Sequence, residues 1–177
     1  SSLKSDKAFS PVVATQKEAI QVYQTLLRDF KKFSKRGETL FRLALALKSI
    51  DEISDCLRYG SVLLQQYPGT EEAMKISLLL GQHYYESGDY NRAMSFLLPI
   101  LTTRFPYERN LAKYRLGLIA ITQERFREAL EYFEQVVLDP DLKEQENPYQ
   151  ISLKKRTPKT DLKREALVDS VRAYTYV

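Results

Sequence analysis

A helical pattern that recurs after about 36 residues constrains this chain more than any other feature. It is clearest between Ala73 and Pro106, where small and apolar residues recur at steps of three and four on both sides of Ser87-Gly88-Asp89. Such steps place them on one face of an α-helix. The second run stops at Phe105-Pro106, because proline fixes φ and has no amide hydrogen to donate. The segment is therefore predicted to be a helical hairpin whose apolar faces need neighbours to cover them.

Two further copies of the pattern flank this hairpin. A shift forward places Leu116-Gly117 on Leu80-Gly81, and a shift back places Leu43-Ala44 there. The copies end at Asp139-Pro140 and Tyr67-Pro68. The Leu-Gly/Ala pair, followed by a small residue in the second helix and a closing proline, resembles the tetratricopeptide repeat.

This resemblance implies an all-α fold, a right-handed superhelical solenoid of helical hairpins with about eight helices. Thr15 and Glu18 fit a capping box, which predicts that the first helix begins near Thr15. The expected organisation is a flexible lead-in at 1–14, a capping helix at 15–35, repeats at 38–68, 70–106 and 107–140, an inserted loop at 141–160, and the opening helix of a truncated repeat at 161–177.

Four residues carry local predictions about packing. Gly81 and Gly117 are expected where neighbouring helices approach closely, and Pro99 is expected to bend the second helix of its hairpin. Cys56 aligns with small residues of the other copies and is expected in the core, where a thiol behaves as a small hydrophobe.

The composition argues against catalysis and against nucleic acid as the partner. Lysine and arginine total 27 against 23 acidic residues, a balance too even to indicate a nucleic-acid surface. The chain has one cysteine and one histidine, and it lacks the nucleophile-elbow, phosphate-loop and zinc motifs. We therefore expect a protein that is not an enzyme, with no cofactor and no metal. No apolar run is long enough to predict a membrane span.

In the repeat family, the opening helices form a concave wall that accepts a peptide or a helix. The resemblance therefore implies that this chain is a scaffold for another protein, with a groove lined mostly by apolar and aromatic side chains. Tyr85 and Tyr114 are expected either to form a two-aromatic pocket or to pack against the neighbouring hairpin. The predicted groove residues are Phe41, Leu45, Lys75, Leu78, Gln82, Tyr85, Leu111, Tyr114, Leu118, Ile121 and Arg172.

The compartment and the alternatives depend on weaker signals. The aromatic-proline stops resemble repeats of bacterial cell-envelope and periplasmic proteins, which implies a place in an envelope assembly; a cytoplasmic adaptor is the alternative. A third hypothesis is binding of anionic lipid or nucleic acid through the basic residues of the insert, Lys154, Lys155, Arg156 and Lys159.

The last helix presents an apolar face with no following helix to cover it, so self-association there is a further expectation. That face comprises Leu167, Ser170, Val171 and Tyr174.

Overall fold

The computed structural model describes residues 11–142 and 161–177. Within these ranges it has eight α-helices, one 3-10 helix and no strand, so the prediction of an all-α fold of helical hairpins is confirmed. No described helix is both long and apolar enough to cross a bilayer. The α-helices are α1 (Pro11–Asp29), α2 (Arg36–Ser49), α3 (Ile53–Gln66), α4 (Glu71–Glu86), α5 (Tyr90–Leu97), α6 (Pro106–Thr122), α7 (Phe126–Val137) and α8 (Leu162–Tyr174).

The chain divides into two compact units, with the boundary between Ile76 and Ser77 inside α4. In the first unit, α2 packs against both α1 and α3. In the second unit, α6 packs against α5 and α7, and α8 packs against α7 and α6.

The three helical hairpins close with the same backbone turn. Asp51, Gly88 and Glu124 have φ values of 67°, 78° and 58°, in the left-handed region. After each of them, the next amide donates to the carbonyl five residues back, which is the Schellman arrangement that ends many helices. The positions are 37 and 36 residues apart, so the turn recurs with the period seen in the sequence. The three bonds are Glu52 to Leu47 at 2.9 Å, Asp89 to Tyr84 at 2.9 Å, and Arg125 to Ala120 at 2.8 Å.

Two glycines lie where helices of the second unit touch. A Cβ atom at Gly117 would lie 2.5 Å from Cε1 of Phe133, whose side chain is fully buried. A Cβ atom at Gly81 would lie 2.8 Å from Cδ2 of Leu97. Real Cβ atoms do not approach that closely, so the predicted close contacts at both glycines are confirmed.

Pro99 changes the helix type at the end of its hairpin. The α-helix α5 ends at Leu97, and residues Leu98–Thr102 continue as a 3-10 helix. Proline cannot donate a hydrogen bond to the carbonyl four residues earlier, so the α-helical ladder stops there and the tighter turn replaces it. The expected loss of a backbone hydrogen bond is thus seen as a change of helix type, and the bend predicted at Pro99 stays a prediction.

The start of the first helix differs from the prediction. Helix α1 begins at Pro11, and Thr15 lies in its second turn, so the capping box proposed for Thr15 and Glu18 is wrong. Proline is favoured at the first position of a helix because its fixed φ suits the helix and its missing amide hydrogen is not needed there. Cys56, by contrast, is buried as predicted, and burial raises the pKa of its thiol.

A buried carboxylate ties the end of the third hairpin to its surroundings. Asp139 accepts hydrogen bonds from Asn110 Nδ2 at 2.8 Å, Arg109 Nη2 at 3.0 Å and the amide of Asp141 at 2.8 Å, and its carbonyl accepts one from Lys163 Nζ at 2.8 Å. Burial by itself would raise the pKa of Asp139, but these donors favour the charged form and lower the pKa to about 2. The carboxylate therefore stays ionised and binds α6 through Arg109 and Asn110, while the backbone carbonyl of Asp139 binds Lys163 at the start of α8.

Candidate protein-binding surface

The second unit carries a stripe of partly exposed apolar side chains along α6. Successive members are three, four and three residues apart, so they share one face of the helix. Each of them packs partly against the buried core formed with α7 and α8 and leaves the rest of its surface open. We call this stripe, with Gln82 and Tyr85 of α4, the wall. Its α6 members are Leu111, Tyr114, Leu118 and Ile121.

Tyr114 joins the wall to the helices behind it. Its hydroxyl donates to Asp169 Oδ2 on α8 at 2.8 Å, and its ring centroid lies 5.7 Å from that of Phe133, with the two planes at 49°. Burial and the hydrogen bond to Asp169 raise the pKa of Tyr114 well above its ordinary value. The ring thus packs on α7 of its own hairpin and only its hydroxyl reaches α8, so the two expectations for Tyr114 both stay predictions.

Tyr85 approaches the same place from α4. Its ring centroid lies 5.9 Å from that of Tyr90. Burial raises the pKa of the Tyr85 hydroxyl, and the nearby Tyr90 and Asp169 raise it further. Gln82, one turn earlier, donates to Glu86 on its own helix at 2.7 Å. The negative charge of Asp169 thus raises the pKa of both Tyr85 and Tyr114.

Helix α8 adds two carboxylates that the sequence analysis did not select. Glu165 and Asp169 are four residues apart, one helical turn. Burial raises the pKa of Glu165, and the charges of Asp169 and Asp161 raise it further. Among the described residues, no lysine, arginine or histidine forms an ion pair with either carboxylate.

A signal for one of these carboxylates is present in the repeat frame. The shift that aligns Arg172 with Leu118 also aligns Glu165 with Leu111. The sequence analysis did not include Glu165 because the predicted groove consisted mainly of apolar and aromatic residues. Asp169 aligns with Arg115, which is not a wall position, so only the structure shows that it reaches Tyr114.

The assignment of Leu78 to the groove is wrong. Leu78 is 1% exposed, so its side chain belongs to the core and cannot contact a partner. The backbone carbonyl of Leu78 accepts a hydrogen bond from Arg115 of α6, which places this side of α4 against the next hairpin. Arg172, at the far end of α8, is exposed.

The groove residues of the first unit form a smaller set. Phe41 and Leu45 lie one turn apart on α2, and both are partly exposed. Lys75 forms an ion pair with Glu71 on its own helix. The basic residues of the insert, Lys154, Lys155, Arg156 and Lys159, lie outside the described residues, as do most of the lead-in and most of the inserted loop.

A metal centre finds no support in the described part of the chain. It contains no group of three or more histidine, cysteine, aspartate or glutamate side chains that could hold a metal ion. The single histidine, His83, lies edge-on to the ring of Tyr84, with the centroids 5.3 Å apart.

The sequence of the α6–α7 hairpin matches the model of a known protein family. The model of the tetratricopeptide repeat matches residues 112–138. This segment is similar to a tetratricopeptide repeat. The matched segment contains Tyr114, Leu118 and Ile121 of the wall, together with Gly117 and its contact Phe133. Comparison with curated proteins and with solved structures gives no significant match.

The repeat narrows the class of function. Tetratricopeptide repeats are typically non-enzymatic modules that bind other proteins, and the match supports a protein-interaction scaffold in general terms. The other two hairpins share the turn of the matched one, with left-handed residues at Asp51 and Gly88.

Proposed function

We propose that this chain is a non-enzymatic scaffold that holds a peptide or helical segment of another protein against the wall of its second unit. The supporting observation is the stripe on α6. Leu111, Tyr114, Leu118 and Ile121 keep part of their surface open, although many of their neighbours on α6 are buried.

The chemistry of the wall suits a protein segment. An amphipathic helix or an extended peptide gains affinity by laying apolar side chains into a row of apolar contacts at helical spacing. Tyrosine adds a large rigid surface with a polar tip, which explains its frequency at the energetic centres of interfaces. The wall has two such rings, Tyr85 and Tyr114, beside aliphatic side chains.

A matched pair of variants tests the wall. Peptides selected from a random displayed library are titrated into labelled protein, and the perturbed amides are mapped by NMR. We expect perturbations along α4 and α6, and loss of binding in Leu118→Arg. The control is Leu138→Arg, which places the same charge on an exposed leucine outside the wall and should bind as wild type. Circular dichroism checks that both variants fold, and Tyr85→Ser is the milder second variant.

Two outcomes would contradict the proposal. Selected peptides that perturb only helices away from the wall would move the binding surface elsewhere. A folded Leu118→Arg variant that binds like the wild type would exclude the α6 stripe from the contact.

We also propose that the partner belongs to a bacterial cell-envelope assembly. The support is the resemblance of the stops at Tyr67-Pro68 and Phe105-Pro106 to envelope repeats. Fractionation of cells that express the complete reading frame, with antibodies against this chain, tests the location. Recovery in the cytoplasmic fraction would favour an adaptor in that compartment.

The exposed face of α8 favours self-association as a second candidate function. Leu167, Val171 and Tyr174 are 54%, 63% and 74% exposed and lie four and three residues apart. Two copies of such a stripe can cover each other about a two-fold axis. Sedimentation at rising concentration should show a dimer that Val171→Glu abolishes, and a monomer at all concentrations would contradict this candidate.

A further inference from the structure

Two carboxylates of α8 border the tyrosine rings of the wall. Asp169 contacts Tyr114 directly, and its charge reaches the hydroxyl of Tyr85. Glu165 lies one turn earlier on α8, partly buried. Within the described residues neither forms an ion pair, although the chain carries more basic than acidic residues.

The hydrogen bond from Tyr114 fixes the direction of the Asp169 carboxylate. It occupies Oδ2, at 2.8 Å, and leaves Oδ1 for another donor. A fixed acceptor loses less entropy on binding than one on a freely rotating side chain. The same carboxylate is adjacent to aromatic surface, against which a guanidinium or ammonium group is attracted by the π electrons.

We propose that the segment bound on the wall carries a lysine or arginine side chain, which lies against the tyrosine rings and pairs with the carboxylates of Glu165 and Asp169. Charge complementarity selects this occupant. A neutral segment would cover partly buried carboxylates without neutralising them, and an acidic segment would add repulsion. The desolvation that already raises the pKa of Glu165 agrees with this choice, because a cation from the partner would compensate it.

Among the described residues, a positive charge on α8 opposes such a partner. Arg172 lies three residues beyond Asp169, is exposed, and forms no ion pair in the described part of the chain. Its removal should therefore strengthen the binding of a basic segment, whereas removal of the two carboxylates should weaken it. The opposite signs of these two effects separate a specific contact from general attraction to charge.

The inferred partner chemistry holds only if the wall binds a protein segment, as proposed above. The probe is the tightest peptide selected from the random library, labelled for fluorescence anisotropy, with a derivative in which each lysine and arginine is replaced by glutamine. We expect the selected peptides to contain lysine or arginine, and the glutamine derivative to bind at least about fivefold more weakly.

Variants of the protein complete a double-mutant cycle. Glu165→Gln with Asp169→Asn should lower the affinity for the basic peptide at least about fivefold and leave the affinity for the glutamine derivative nearly unchanged. Asparagine retains an oxygen that accepts from Tyr114, so the wall keeps its geometry. Glu131→Gln with Glu134→Gln, on the exposed face of α7, is the matched control and should change neither affinity.

Each alternative result has a distinct meaning. Wall-binding peptides without lysine or arginine, or a carboxylate variant that binds the basic peptide like the wild type, would overturn the basic partner and leave the proposed function intact. A control variant that weakens binding as much as the carboxylate variant would also overturn it, because the effect would then reflect net charge. A selection with no peptide on the wall would overturn both.

Discussion

Gly117 offers the most direct test of how the repeat is packed. A methyl group at this position of α6 would lie 2.5 Å from Cε1 of Phe133 and 2.9 Å from its Cδ1 and Cζ atoms. The ring is fully buried, so it cannot turn aside without displacing other core side chains. Gly117→Ala therefore forces the α6 and α7 helices apart or strains the ring.

The expected magnitude is a balance of two effects. Alanine stabilises the interior of a helix by about 1 kcal/mol relative to glycine. Overpacking of a filled core costs about 1–3 kcal/mol, and three contacts below 3.0 Å place Gly117→Ala toward the upper part of this range. We expect a net loss of about 1–2 kcal/mol in the free energy of unfolding. Gly117→Leu should lose at least as much.

Urea unfolding followed by the helical circular dichroism signal measures this loss. For a slope of about 2 kcal/mol per molar urea, the midpoint should fall by about 0.5–1 M. Phe133→Leu removes the ring that the new methyl group meets, so Gly117→Ala in that background should be neutral or stabilising. A Gly117→Ala variant as stable as the wild type would refute the close-contact argument. A full loss that persists in the Phe133→Leu background would place its cause elsewhere.

Three further predictions concern polar groups of the second unit. The pKa of Asp139 is lowered to about 2 from 3.8, so its ionised form contributes about 2 kcal/mol above pH 4 that is lost as the pH falls towards 2; Asp139→Asn should flatten this acid dependence in thermal unfolding, and an unchanged slope would contradict it. Tyr114→Phe removes the hydrogen bond to Asp169 and should cost about 1 kcal/mol in urea, whereas the control Tyr132→Phe should cost less; equal losses would count against that bond. Burial raises the pKa of Glu165, so its charged form opposes folding as the pH rises through that pKa; Glu165→Gln should melt no lower than the wild type at pH 7, and a clear drop would mean that the carboxylate is stabilised by a contact.

The sequence predicted the hairpins because their determinants are local and repeated. Gly81 and Gly117 could be assigned to helix contacts because a glycine in a helix interior weakens the helix, and close approach of a neighbour explains its presence. Pro99 could be predicted to disturb its helix for an equally local reason, the loss of one backbone donor.

The wall could be predicted only in part, because periodicity identifies the face of a helix but not what covers it. Leu78 was placed in the groove, yet a helix inside an array has more than one covered side, and this residue lies on such a side. Asp169 was missed because its importance comes from Tyr114, 55 residues earlier in the chain. Thr15 shows that a sequence can contain more than one candidate helix start, since α1 begins at Pro11 instead.

The shared hairpin turn has a consequence for how this sequence can diverge. Its geometry is defined by backbone hydrogen bonds and one left-handed residue, which is aspartate in the first hairpin, glycine in the second and glutamate in the third. Substitution at that position is therefore tolerated at a modest energetic cost. An insertion or deletion is different, because it would move the donating amide out of register and rotate the second helix about the first. We expect natural variants to accumulate substitutions in these turns while keeping their length, and length changes to occur in the connections between hairpins.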